Sequence, residues 1–249
     1  MNIPQPPIDI RFEIRLNPEI RQAYDEIYND EGIRHLDSFY LWLLELLQPM
    51  PGRRLLDVAC GEGVLPNLGH KLHGLETHGV DLSHAALRIA CDEGQGAFFV
   101  SSGEYLPFAD NSFDYVTCIG SLEHFDDMHM GITEIARLLR PNGLACILLP
   151  NTYGLLNNIY KALKTGMSTI DEQPLQRYAA RAEWAMQLAA GGLQVIDTIK
   201  YEREIPRSLA DSWWYVRHPR TLVKLALTPY IPLNLATCFV YLCRPMKKE

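Results

Sequence analysis

Positive charge is scarce in this 249-residue sequence: 23 Lys and Arg stand against 30 Asp and Glu, a net charge of −7. A generally basic surface for nucleic acid is therefore excluded. The six cysteines (60, 91, 118, 146, 238 and 243) form no C-x-x-C pair, so neither a zinc ribbon nor a dense disulfide framework is indicated. The opening MNIPQPPIDIRFEI has no basic stretch followed by an apolar one, as a secretory leader would. The reading is of reduced thiols and a cytoplasmic protein. Long apolar runs are also missing. The 19 uncharged residues between Lys224 and Arg244 approach the length of a membrane span. Pro229, Pro232, Asn234 and two threonines interrupt them, which predicts a turn and then a buried strand.

What is present suits one globular domain, with 47% hydrophobic and 21% charged residues. It divides into N-terminal helices (1–48), a central core (49–150) and a last third (151–249). Charge is uneven: residues 151–249 carry 13 basic and 8 acidic side chains, whereas both earlier parts are acidic. After a Pro-rich lead, 18–29 and 33–47 read as helices, the second with apolar residues at helical spacing. From Arg53 onward strand and helix signals alternate. Strands are predicted at 53–59, 76–81, 97–101, 112–119 and 144–149, with helices at 64–72, 83–92 and 128–139 and a turn at 140–143. Ser83 is the predicted cap of the second of these helices. The last third reads as helices at 155–163 and 175–190 and strands at 193–201 and 237–242, with 202–235 irregular or helical. Such alternation implies a doubly wound, mostly parallel α/β sheet. Segments 150–176 and 202–235 are expected over its carboxyl edge, where such sheets bind ligands.

The first strand of the core runs into Asp57-Val58-Ala59-Cys60-Gly61-Glu62-Gly63. Glycines there allow a tight turn and close approach of a ligand at a helix amino end. A dinucleotide G-x-G-x-x-G would need glycine at Pro66, and no G-x-x-x-x-G-K-[ST] occurs, so nicotinamide and P-loop readings are disfavoured. The second strand ends at Asp81-Leu82-Ser83, where a carboxylate can accept from ribose hydroxyls or simply cap the next helix. Ser102-Gly103-Glu104 and Gly120-Ser121-Leu122-Glu123-His124 follow the third and fourth strands.

In order and spacing these motifs resemble the class I S-adenosylmethionine-dependent methyltransferases, in the small-molecule branch related to quinone-pathway enzymes. The resemblance is detailed over 50–150 and looser beyond. It implies a Rossmann-like seven-stranded sheet with an antiparallel last strand, and S-adenosylmethionine as cofactor. It places Asp57, Ala59, Cys60, Gly61 and Gly63 against the methionyl part and Asp81 on the ribose. Leu82 would pack on the adenine, with Ser102, Gly103 and Glu104 at its edge and Gly120 and Ser121 near the sulfonium. Ala59 stands where relatives often have glycine, and Ser102 where they often have an acid. The implied reaction is methyl transfer to a small-molecule or lipid-linked acceptor, favoured at oxygen. His124 is the candidate base for a hydroxyl acceptor, or an orienting residue for other acceptors. The alternatives are a non-catalytic module that binds the cofactor or a partner, and, less favoured, a nicotinamide-dependent oxidoreductase.

Other features compete for attention. Some relatives bind a metal through Glu-x-x-Glu-His, but Gly120 replaces the first glutamate here. Asp126, Asp127 and His129 read as an ordinary acidic helix start, so no metal is expected. His70, His73 and His78 read as surface residues. Tyr160-x-x-x-Lys164 imitates a dehydrogenase pair but reads as a covering helix with Tyr160 on its apolar side. Cys60 has no evident base to make it a nucleophile. Trp213-Trp214-Tyr215 lies among Arg203, Arg207, Arg217, Arg220 and Lys224. Core anchoring by two large aromatics is weighed slightly above a lipid-facing surface or substrate mouth over 202–224. In either functional version the cations would draw an anionic or lipid-linked acceptor. Oligomeric state is not legible.

Overall fold

The computed structural model describes residues 19–30, 32–167, 169 and 173–247, together with the backbone of 13–15. The Pro-rich lead and Pro18 lie outside the described residues. Short strand β1 (Glu13–Arg15) precedes helices α1 (Ile20–Asp30) and α2 (Asp37–Leu47). The core then runs β2 (Arg54–Val58), α3 (Val64–His73), β3 (Glu76–Asp81), α4 (His84–Glu93), β4 (Ala97–Val100), β5 (Phe113–Ile119), α5 (Met128–Leu138) and β6 (Leu139–Pro150). A π-helical turn (Leu155–Ile159) leads into α6 (Tyr160–Thr165), followed by β7 (Leu175–Arg177), α7 (Arg181–Ala190) and β8 (Leu193–Tyr201). Helices α8 (Leu209–Arg217) and α9 (Pro219–Leu227) precede β9 (Cys238–Pro245).

Seven strands form one sheet in the order β4-β3-β2-β5-β6-β9-β8. Pairing is parallel from β4 through to β6, and β9 runs antiparallel to both β6 and β8. This is the expected doubly wound sheet with its antiparallel last strand. On one face α5 and α7 bury Ile132, Ile135, Leu138, Trp184 and Leu188 against the sheet. On the other, Phe39, Leu43, Leu44 and Leu47 of α2 and Leu65 of α3 cover Leu55, Cys146 and Val240. Each such side chain contributes about 1.5–3 kcal/mol by leaving water. At the sheet's amino edge, Asp114 accepts from Arg54 N (3.0 Å), Arg53 (3.0 Å) and Arg140 (2.7 Å). Burial alone would raise its pKa, but these bonds hold the carboxyl below the usual range.

Local expectations hold where chemistry is local. Ser83 caps α4 by accepting from Ala86 N at 3.1 Å. Four others need correction. Residues 175–177 are a strand, not helix: β7 pairs antiparallel with β1, and the helix starts only at Arg181. The expected turn at 140–143 lies inside β6, because the register jumps from Phe113↔Leu139 to Tyr115↔Leu144 and leaves Arg140–Gly143 bulged. His78 is buried rather than superficial, with its ring 5.3 Å from Phe113 and 6.4 Å from Phe99. Tyr160 is 58% exposed, so it lies on no apolar face.

Candidate functional site

Strand order reverses between β2 and β5, which opens a crevice at the carboxyl ends of the sheet. A cavity of about 620 Å³ occupies it. Asp57, Ala59, Cys60, Gly61, Asp81, Leu82, Ser102, Gly103, Glu104, Gly120, Ser121 and His124 all line this one cavity. Gly63 is the exception. A side chain there would meet Ala90 at 2.6 Å and Phe98 at 2.8 Å, so its absence serves packing beneath the loop.

The 59–63 loop turns through three left-handed residues, Ala59 (φ 57°), Gly61 (φ 52°) and Gly63 (φ 68°). Asp81 fixes it, accepting from Gly61 N through Oδ2 and from Ser83 N through Oδ1, each at 2.8 Å. The carboxylate thus does the capping job foreseen for it, organising the helix start while also fixing the glycine loop. Asp57, at the end of β2, accepts from Thr117 Oγ1 at 2.6 Å. Burial lifts its pKa to about 7, against the Thr117 bond and with help from the charge of Asp81. Burial likewise pushes the Cys60 thiol well up, which leaves no nucleophile there. Glu104 lines the cavity, yet its Oε1 accepts from Asp127 N at 2.9 Å.

His124 ends the 3-10 turn Leu122–His124 that follows β5. Its Nδ1 bonds the carbonyl of Leu175, which can only accept, so Nδ1 carries the proton and Nε2 the lone pair. Burial first, and the nearby Arg177 charge, push its pKa down to about 4 despite that bond. The imidazole is therefore neutral throughout the physiological range.

Several wall residues escaped the sequence reading. Tyr24, Tyr28, His35, Phe39 and Tyr40, from α1 to α2, close one side. A side chain on Gly61 would touch the Tyr28 hydroxyl at 2.5 Å. The only signal was aromatic residues at helical spacing, which marks an apolar face without saying what that face covers. Gln176, Arg177, Tyr178, Tyr201, Thr237 and Cys238 also line the cavity, the Tyr201 ring lying 5.1 Å from that of Phe39. Segment 150–176 contributes as expected, but nothing from 202–235 lines the cavity. That segment is pinned outside α2 instead: Asp211 accepts from Ser38 N at 2.9 Å, and Arg207 pairs with Glu45 at 2.5 Å. Nor do two tryptophans anchor it, since Trp213 is 57% exposed and Tyr215 is the buried aromatic. Among the described residues no helix is long and apolar enough to cross a membrane.

The site fits S-adenosylmethionine in its donor set. Asp81 offers acceptors for two hydroxyls, and Asp57 supplies a buried carboxylate to face a cation. Gly103 has no room for a side chain, which would strike Phe125 at 2.3 Å, so Phe125 packs directly on the backbone of this wall.

Comparison with known proteins agrees. Residues 56–147 match the family described as "Methyltransferase domain". O-methyltransferase rstn1 of Aspergillus nomiae is 36% identical over 110 residues, 41% of this chain and 49% of that protein. A ubiquinone biosynthesis O-methyltransferase of Alkalilimnicola ehrlichii is 37% identical over 108 residues, 41% of this chain and 43% of that protein. The matches thus span about half or less of those relatives' length. In three dimensions, a chain from the Haloferax volcanii complex of the Trm112 methyltransferase activator superposes with a TM-score of 0.66. It shows 19% identity, and the match covers 92% of this chain and 99% of that one. By sequence likeness over residues 56–147 this chain is similar to methyltransferase domains, and its fold is that of the superposed chain.

Proposed function

We propose that the protein transfers a methyl group from S-adenosylmethionine to an oxygen of a small-molecule acceptor. The observation that carries this reading is the convergence of Asp57, Gly61, Asp81, Gly103, Gly120 and His124 on one cavity at the point where strand order reverses. The bound cofactor would supply an already electrophilic methyl group. The chain's task is then alignment and dryness. Asp81 would hold the ribose hydroxyls, Asp57 would face the methionyl ammonium, and Ser102 and Gly103 would border the adenine. Tyr24, Tyr28, Phe39 and Tyr40 exclude water from above. His124 presents a neutral Nε2 lone pair to an acceptor hydroxyl. With a pKa of about 4 it is a weak base toward a phenol near ~10, so orienting that hydroxyl is its stronger role. Neither a nicotinamide oxidoreductase nor a non-catalytic module is favoured beside these likenesses.

S-adenosylhomocysteine should raise the melting temperature, and NAD should not. Asp81→Ala should cost about 1.5–3 kcal/mol of that affinity. Binding of NAD without response to the sulfur compound would reject the assignment.

A cytoplasmic protein that touches membranes peripherally, with a lipid-linked acceptor, is the finer reading. It is supported by Trp213, Val216, Val223 and Tyr230, exposed on and just after α8 and α9 beside Arg217 and Arg220. Sedimentation with phosphatidylserine vesicles, lost in Arg217→Glu/Arg220→Glu, tests it. Failure of the wild type to sediment would refute membrane contact.

A further inference from the structure

Helix α1 has no share in the hydrophobic core. None of its residues is buried, and among the described residues none belongs to either core cluster. Ile20, Tyr24 and Tyr28, spaced i, i+4 and i+8 along one stripe, all line the cavity instead. An 11-residue helix is marginal in water unless something packs against such a stripe. Helix α2 has the same length but is seated on the sheet through Phe39, Leu43, Leu44 and Leu47. The stability of α1 therefore depends on what the cavity holds.

A few polar bonds fix where α1 lies. Asp25 Oδ1 accepts from Ser83 Oγ at 2.6 Å and from Ala85 N at 3.2 Å, at the amino end of α4. Tyr24 donates its hydroxyl to Gln173 Oε1 at 3.0 Å, which joins α1 to the segment before β7. Tyr28 reaches over the 59–63 loop, its hydroxyl 2.5 Å from where a side chain on Gly61 would begin. Ser83 also donates its main-chain N–H to Asp81 at 2.8 Å. One serine thus bonds both the carboxylate proposed for the ribose and the carboxylate of α1. Asp25 and Asp81 carry like charges and repel each other across it. Ligand hydroxyls that donate to Asp81 spread its charge and ease that repulsion. A filled cavity therefore favours the seated position of α1 in two ways, through the apolar stripe and through Asp25.

We infer that α1 is a lid over the cofactor half of the cavity, and that Asp25 is the positioning residue that latches it to the 81–83 turn. Opening of α1 lets the cofactor in and its product out. Closure covers the ligand with Tyr24 and Tyr28 and keeps water from the reacting atoms. The inference rests on the S-adenosylmethionine reading and adds how that site opens and which residue holds it shut.

Hydrogen exchange of the full chain, with and without S-adenosylhomocysteine, tests the lid. A peptide spanning 20–30 should exchange at least tenfold more slowly with the compound bound, and one spanning 128–138 in α5 should change less than twofold. Surface plasmon resonance then separates the binding rates. Asp25→Ala should release the compound at least fivefold faster while binding it no more than twofold more slowly, and its 20–30 peptide should lose most of the added protection. Tyr24→Phe, which removes only a hydroxyl, should release it at least twofold faster and stands in if Asp25→Ala does not fold. No binding to wild type would overturn the S-adenosylmethionine reading and this inference with it. Binding without added protection at 20–30 overturns the inference alone, because α1 would be a fixed wall. An unchanged release rate in both variants does the same. So does affinity lost through slower association, which would make Asp25 a structural prop of the ribose turn.

Discussion

Asp57→Asn should make the ligand-free protein more stable, by an amount that grows with pH. Asp57 is buried at the end of β2, and burial lifts its carboxyl from the ordinary 3.8 to about 7. Below pH 3.8 the folded and unfolded chains both hold this proton, so the group contributes nothing. Between 3.8 and 7 the unfolded chain ionises while the folded one does not, and stability falls as pH rises. Above 7 both are ionised and the loss levels off. At 1.36 kcal/mol per pKa difference of one, the full penalty is about 4 kcal/mol, and about 2–3 kcal/mol of it develops between pH 5 and 8. Asparagine keeps an oxygen to accept from Thr117 and removes the ionisation. Urea unfolding of both proteins at pH 5, 6.5 and 8 measures the difference, from which the histidines cancel. A difference between wild type and variant that stays constant across that range would refute the argument. So would one that shrinks as pH rises.

Three further outcomes are expected. Ala59→Gly should stabilise by about 0.5–1 kcal/mol. A left-handed alanine costs about 1–2 kcal/mol, and glycine's freer unfolded chain returns part of that; urea midpoints decide. Gly63→Ala should destabilise by about 2–3 kcal/mol, since the new methyl meets Ala90 and Phe98 at a left-handed φ. A melting temperature equal to wild type would show that the loop yields. Methyl-transfer rates should show no imidazole limb between pH 5 and 8, because burial keeps His124 neutral down to about pH 4. His124→Ala should lower the rate without altering the profile's shape, whereas a limb near 6.5 that vanishes in the variant would restore His124 as the base.

The core from Arg54 to Pro150 was legible because its signals are local. Strand ends, the Ser83 cap and the loop glycines each announce themselves within a few residues. The β1–β7 pair was not, since three-residue strands carry no periodicity and their partners lie more than 150 positions apart. His78 looked superficial because a histidine says little alone; only the rings of Phe99, Phe108 and Phe113 enclose it. The basic 202–224 segment was misplaced over the cavity for a similar reason. Its position depends on Asp211 reaching Ser38, a contact across 173 residues that no local pattern encodes. Likewise the burial of the Gln176 amide without a hydrogen bond among the described residues is invisible in sequence, because it depends on packing between distant segments.

The seat of β9 has a consequence for how the molecule assembles during synthesis. This strand follows every other strand of the sheet along the chain, yet it is interior, wedged between β6 and β8 with Phe239, Tyr241 and Cys243 wholly covered. Until residues 238–245 have left the ribosome, β6 presents an open hydrogen-bonding edge at Ala145–Pro150, and β8 has no neighbour to hold it. The nascent chain is therefore sticky over a long interval, which favours chaperone shielding. Thr237 and Cys238 also belong to the cavity wall, so the pocket closes only when this strand slots in. A stop codon before Cys238 would remove the wedge from inside the sheet rather than trim a fringe, and the product should aggregate instead of surviving as a weakened enzyme.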